Sequence, residues 1–280
     1  MNYESRIMSD KVWFITGASR GFGQIWAKAA LDRGDKVAAT ARDTAALEAL
    51  VRDYGNRVLP LGLDVTNHDA VVAAVRQAHG HFDRLDVVLS NAGYGLMGAV
   101  EETTDDEARA NFETNVFGTL SVIQAALPLM RAQMSGHILA VSSIGGLVTF
   151  PLGGVYQATK FAVEGLLQTL AQEVAGFGIN VTLIEPGPFA TDFMSEASLK
   201  QAKPIPAYDP VREQLSKVLT QEMFGDPRTI NNAVLNIVDA DQPPLHVILG
   251  PLLPMVKQVY EARIRSWEAR DGGSRAEGVQ

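Results

Sequence analysis

Near the start of the chain an apolar run, Val12-Trp13-Phe14-Ile15-Thr16, runs straight into Gly17-Ala18-Ser19-Arg20-Gly21-Phe22-Gly23, and a helical pattern begins at once with Gln24. A strand feeding a glycine turn that opens a helix leaves few folds open. Gly17 permits a tight turn, Gly21 lets backbone approach a pyrophosphate, and Gly23 allows close helix–strand packing. The helix start then offers unpaired amides and the positive end of its dipole to phosphate. The spacing is G-x-x-x-G-x-G rather than G-x-G-x-x-G, and an ordinary glycine-rich turn is the competing reading.

The pattern repeats in kind along the chain. Residues 36–40, 58–63, 87–90, 138–142 and 181–185 read as further strands. Residues 24–33, 44–54 and 67–79 read as helices. Thr104-Asp105-Asp106-Glu107 has the form of a capping box opening a long helix. Strands alternating with helices of this length imply βαβ units, a parallel sheet and helices on both faces. No linker divides the chain, so 1–280 is expected to be one domain with its core in 11–194. Residues 195–209 carry Pro204 and Pro206 and are polar, which suggests a mobile excursion acting as a lid within a substrate region at 193–225. Residues 271–280, with Gly272, Gly273 and Gly278, are expected to be disordered.

Charge and composition exclude several classes. A net charge of -8 with no basic run argues against nucleic acid, whose phosphates call for Lys and Arg. No run of about 20 apolar residues suggests a membrane span, and residues 1–10 lack a signal-type apolar stretch. Absence of cysteine removes disulfides, thiolate catalysis and Cys-ligated zinc. The expectation is a cytoplasmic protein acting on a small molecule.

At the end of the second strand a dinucleotide site usually carries an acid for the ribose hydroxyls. Here Ala41 holds that place and Arg42 follows, while Arg20 lies in the glycine turn. Two guanidiniums suit a ribose 2′-phosphate, so NADP(H) is expected and NAD(H) remains possible. In the competing reading Asp43 turns inward and selects NAD. Further along, Tyr156 and Lys160 sit four apart on one helix face. An ammonium beside a phenol favours the phenolate, and the Ser143 hydroxyl, just upstream, can hydrogen-bond a carbonyl oxygen.

Taken in order, the Thr16–Gly23 turn, Asp64-Val65, Asn91-Ala92-Gly93, Asn115, Ser142-Ser143, Tyr156-x-x-x-Lys160 and Pro186-Gly187 resemble the short-chain dehydrogenases/reductases over residues 11–194. The resemblance implies a single Rossmann-type, doubly wound parallel sheet of about seven strands and a homodimer or homotetramer. It implies a tetrad of Asn115, Ser143, Tyr156 and Lys160. Tyr156 would exchange a proton with the substrate oxygen, Ser143 would polarise that oxygen, Lys160 would hold the nicotinamide ribose and ease the Tyr156 proton, and Asn115 would support a water relay. Cofactor contacts would come from Gly17, Ser19, Arg20, Gly21, Phe22, Gly23, Arg42, Asp64, Val65, Asn91, Ala92, Gly93, Pro186 and Gly187, with Phe189 and Thr191 near the carboxamide. Residues 186–193 and the long extension past Leu245 most resemble the branch of 17β-hydroxysteroid dehydrogenases, which implies a small hydrophobic or steroid-like alcohol or carbonyl. Thr159 stands where the family often has Ser, with no change implied in mechanism. A protein of this fold that senses cofactor without catalysis is the alternative. His68, His79, His81, His137 and His246 show no metal-ligand spacing, and Glu101, Glu102, Asp105 and Asp106 flank a helix start, which suits them better than paired-carboxylate chemistry.

Overall fold

The computed structural model describes residues 10–189, 198–218 and 225–274. Seven parallel strands form one sheet in the order β3-β2-β1-β4-β6-β7-β9. They are β1 (Val12–Ile15), β2 (Lys36–Ala41), β3 (Val58–Gly62), β4 (Val87–Ser90), β6 (Gly136–Val141), β7 (Ile179–Pro186) and β9 (His246–Leu249). The chain steps outward from β1 to β2 and β3, then crosses back to β4. That reversal opens a crevice at the carboxyl ends of β1 and β4. Helices α1 (Gly21–Asp32), α2 (Glu48–Tyr54), α3 (His68–Phe82), α4 (Asp105–Phe112), α5 (Gly118–Gln133) and α6 (Gly154–Val174) make the crossovers. The later α7 (Asp209–Val218), α8 (Asn231–Asp239) and α9 (Leu253–Ser274) follow β7.

The sheet is apolar on both faces because helices cover both, as parallel sheets require. Along β1, side chains alternate. Val12 and Phe14 enter one core with Val88, Ile138, Val163 and Leu167. Trp13 and Ile15 enter the other with Leu89, Leu139, Trp26 and Val234. On α6 the residues Val163, Leu167, Leu170 and Val174 are buried, which fixes the helix that carries Tyr156 and Lys160.

Several expectations shift. The helix expected over 44–54 begins as a 3-10 turn, Thr44–Leu47, before α2. The long helix after the Thr104 capping box is broken by a π-helical turn, Glu113–Phe117, between α4 and α5. The expected mobile excursion is regular over much of its described length: β8 (Leu199–Gln201) pairs in parallel with β5 (Gly95–Met97), and α7 follows. Residues 195–197 lie outside the described residues. The tail expected to be disordered starts inside α9, which runs to Ser274, and 275–280 lie outside the described residues. No described helix is long and apolar enough to cross a membrane.

Because Leu167 is fully buried beneath α6, Leu167→Ala is expected to destabilise the fold by about 2–5 kcal/mol in urea denaturation, as large-to-small core changes do. Leu166→Ala, at a half-buried position, is expected to cost clearly less.

Candidate active site

The glycine turn is built by hydrogen bonds between the ends of β1 and β4. Asn91 Nδ2 donates to Thr16 O at 2.9 Å and Gly17 O at 3.1 Å, and Thr16 Oγ1 accepts from Asn91 N and Ala92 N. Gly17 (φ +66°) and Gly21 (φ +54°) adopt the left-handed region that glycine tolerates. A Cβ on Gly23 would come 2.3 Å from Gly17 O and 2.5 Å from Asn91 Nδ2. The turn is therefore closed to a side chain at Gly23, and its left-handed backbone at Gly17 and Gly21 favours glycine, leaving backbone to face a ligand. Helix α1 starts behind Arg20 with no side-chain cap and no acid in its first turn, an arrangement suited to phosphate. Ser19, Arg20, Gly21 and Phe22 are all partly exposed there.

At the end of β2, Ala41 is buried and Arg42 exposed. Asp43 does not turn inward: it is exposed and caps the following turn by accepting the Ala45 amide at 3.0 Å. Asp64 accepts from the Thr66 amide and hydroxyl, and the Thr66 amide, with help from the Arg42 charge, holds its carboxyl below the usual range. Val65 is buried, packed so closely that a Cβ on Gly118 would come 2.7 Å from it. Gly93 is exposed, and a Cβ there would come 2.9 Å from Asn115 Oδ1. Pro186, the last residue of β7, is buried, and Gly187 just past it partly so. The Phe189 ring is core: it packs edge-on to Phe22 at 5.6 Å, so the ring is not free to meet a carboxamide. Thr191 lies outside the described residues.

Ser143 lies just past β6, Tyr156 and Lys160 project from α6, and Asn115 sits in the π-helical turn. Ser143 hydrogen-bonds the Tyr156 hydroxyl. Its Oγ also accepts the Gly145 amide at 3.0 Å, which orients the hydroxyl. Lys160 Nζ donates to Val141 O at 2.8 Å and lies 5.7 Å from the Tyr156 ring centre. Burial pushes the Tyr156 hydroxyl up to about 12, opposed only by Ser143. Burial pulls the Lys160 ammonium down to about 8, opposed by Glu164. The expected easing of the Tyr156 proton by Lys160 is thus outweighed: Lys160 is turned to Val141, and desolvation of a buried phenol wins. Asn115 is buried, donates to Tyr94 O and Thr159 Oγ1 at 3.0 Å each, and accepts the Tyr94 amide.

A family model for short chain dehydrogenases matches residues 11–202. The chain belongs to the short-chain dehydrogenases. It is 43% identical over 86% of its length to the oxidoreductase BOA17 of Botryotinia fuckeliana, covering 89% of that protein. It is 36% identical to a 3-ketodihydrosphingosine reductase of Bacteroides thetaiotaomicron, covering 93% and 94% of the two chains. A short-chain dehydrogenase structure from Streptomyces avermitilis superposes with TM-score 0.87 at 36% identity, over 97% of this chain and 99% of that one. Among other structural relatives, one from Burkholderia phymatum (26% identity, TM-score 0.79, 92% and 95% covered) is in complex with NAD. An alcohol dehydrogenase from Thermococcus sibiricus (27%, 0.72, 86% and 96%) is complexed with 5-hydroxy-NADP. The chain is thus an oxidoreductase acting on CH–OH or C=O groups with a nicotinamide cofactor.

Within this short-chain dehydrogenase the structure adds residues that sequence reasoning missed. Thr159, read as a neutral replacement, accepts from Asn115 and donates to Tyr156 O at 2.6 Å, joining two of the expected tetrad residues. Gln157 bonds both Phe150 N and Phe150 O, which fixes the loop before α6. Glu102 is a latch. Its carboxylate takes the Ala99 amide at 2.7 Å, the Ile205 amide at 2.6 Å and the Arg212 guanidinium. The Ile205 amide and Arg212 bring its carboxyl down to about 2. Tyr208 adds a hydrogen bond to Glu101 at 2.6 Å. Only the i, i+3 pattern of a helix start is visible locally; the partner segment lies far downstream.

Since Glu102 stays ionised until the pH falls towards about 2, the latch holds across the neutral range. Arg212→Ala is expected to raise hydrogen exchange at least tenfold in 199–212 and leave β1 and β4 protected. Unchanged exchange in 199–212 would show that β8 pairing alone holds the segment.

Proposed function

We propose that this enzyme is an NADP(H)-dependent carbonyl reductase for hydrophobic ketones, working through Tyr156, Ser143, Lys160 and Asn115. One observation carries the proposal: a buried Tyr156 hydroxyl bonded to Ser143, with the Lys160 ammonium behind it, at the carboxyl ends of the central strands. A nicotinamide bound in the crevice supplies the hydride. The protein handles the proton. With its proton held up to about 12, Tyr156 is the acid form at neutral pH and gives that proton to the substrate oxygen. Ser143 aligns the oxygen. Lys160, anchored on Val141 O, and Asn115, anchored on Tyr94 and Thr159, keep the positive charge and the proton path in place.

Support for the 2′-phosphate comes from Arg20 at the N-cap of α1, exposed Arg42, and the buried Ala41 in place of an acid; Asp43, the competing residue, is used as a cap. Asp64 and Val65 would bound the adenine, and Asn91, Ala92, Gly93, Pro186 and Gly187 the rest of the cofactor. A hydrophobic ketone, steroid-like or long-chain, is suggested by the 17β-hydroxysteroid-type motif over residues 186–193 and by the sphingoid-ketone reductase among the relatives. We also read the protein as one domain, cytoplasmic, and a homodimer or homotetramer. The half-buried Phe161 and Leu166 on α6 support an interface.

Tyr156→Phe is expected to lower turnover by about 10²–10⁴-fold with little change in NADPH affinity, read by steady-state rates and fluorescence titration. A variant keeping a tenth of the activity removes Tyr156 as the acid. Binding titrations are expected to favour NADPH over NADH, and Ala41→Asp is expected to reverse the order. Wild-type preference for NADH would contradict the arginine reading. For reduction, kcat/KM should be level below neutrality and decline as pH rises through about 8, where Lys160 loses its charge. A profile flat to pH 10 would show that the ammonium is not needed in the free enzyme.

A further inference from the structure

Behind the Ser143–Lys160 side of the site lies a second group of side chains that hydride transfer does not use. Glu164 stands one turn beyond Lys160 on α6, Glu185 near the end of β7, and His246 at the start of β9. Parallel pairing of β7 with β9 sets Leu183 beside His246 and Glu185 beside Ile248. His246 Nδ1 reaches Glu185 Oε1 at 2.6 Å and Glu164 Oε2 at 3.7 Å. One donor atom from each of the three lies within 4.8 Å of the other two. The carboxylates are deeply buried, with side chains 4% and 1% exposed, while His246 is 43% exposed and opens the group to solvent.

Two buried carboxylates at this separation repel each other strongly in a low-dielectric interior. Among the described residues no Lys or Arg forms an ion pair with either; Lys160 acts on Glu164 from one turn away but donates to Val141 O. Glu164 Oε1 and Glu185 Oε2 are buried with no hydrogen-bond partner among the described residues. Ser142 Oγ is likewise buried with no hydrogen-bond partner among the described residues, and Gly146 leaves room for it and for Glu164, since a Cβ there would come 2.8 Å from Ser142 Oγ and 3.0 Å from Glu164 Cγ. The group is therefore short of positive charge and holds free oxygen lone pairs.

We propose that Glu164, Glu185 and His246 bind one first-row divalent metal cation. The donor chemistry selects this class: an imidazole nitrogen with two carboxylate oxygens suits zinc or manganese, whereas calcium and magnesium prefer all-oxygen sets. Three protein donors leave a further position for water on the His246 side. The cation would tie β7, β9 and α6 together immediately behind Ser143 and Lys160. It would act as a structural clasp, since its three donors come from α6, β7 and β9. A shared proton could supply the same neutralisation, and the experiment separates the two.

The test uses the untagged full chain, stripped with chelator and titrated with zinc chloride and manganese chloride by calorimetry and thermal denaturation. The expected result is one saturable equivalent with micromolar or tighter affinity and a melting temperature raised by several degrees, as ligand binding to the folded state requires. His246→Arg, which places a guanidinium beside the carboxylates and so protects the fold, should weaken binding at least tenfold. His246→Ala and Glu185→Gln should do the same. The double variant His79→Ala/His81→Ala, which removes the loop imidazoles, should bind as wild type. If Glu185→Gln fails to fold, the two His246 variants decide. No saturable binding at millimolar metal, or binding that survives His246→Arg, would overturn the proposal and leave a proton as the neutralising charge.

Discussion

The clamp between Thr16 and Asn91 is the interaction on which the rest of the structure depends. Four hydrogen bonds join the end of β1 to the end of β4 across the crevice. They place Asn91 so close to α1 that only glycine fits at position 23. Once β1 and β4 are locked side by side, the order of the remaining strands follows: β2 and β3 lie on one side, and β6, β7 and β9 on the other. The glycine turn on one wall and the Ser143–Tyr156–Lys160 group on the other are then brought to the same edge of the sheet.

A second polar chain continues from that clamp into the chemistry. Ser90 donates to Thr119, and Thr119 donates to Asn115 O. Asn115 spans Tyr94 and Thr159, and Thr159 bonds back to Tyr156 O. The π-helical turn at Glu113–Phe117 contains Asn115, consistent with the use of such turns at functional sites. A buried hydrogen-bond network of this kind holds its members in one arrangement, which a proton-transfer site needs. Its members come from β4, the β4–β5 connection, the π-helical turn between α4 and α5, α5 itself and α6, so the network binds the sheet to α5 and α6.

Much of this was legible in the sequence because parallel strands buried on both faces read as unbroken apolar runs. β1 and β4 announce themselves this way, β2, β3, β6 and β7 as apolar runs interrupted by residues such as Thr40, Pro60, His137, Asn180 and Thr182, and the capping box at Thr104 is local chemistry that the structure reproduces. β9 was not legible: it is a short edge strand whose residues are largely half-exposed. β5 and β8 are three residues each and exist only through each other. The excursion read as mobile from Pro204 and Pro206 is held by Glu102, whose role no window around Pro204 can reveal. Tyr156 and Lys160 were visible because the helical period links them. Glu164, Glu185 and His246 were invisible because strand pairing, not sequence spacing, brings them together.

The central claim is that the glycine crevice and Tyr156 form one hydride-transfer site. Reduction of hydrophobic ketones with NADPH deuterated at the nicotinamide C4 tests it most directly, with the label followed into the product by mass spectrometry. The account predicts deuterium on the new carbinol carbon, on one face only, in wild type and at a rate cut by orders of magnitude in Tyr156→Phe. Tight NADPH binding with no deuterium transferred to any ketone in a steroid, sphingoid and short-chain panel would contradict it.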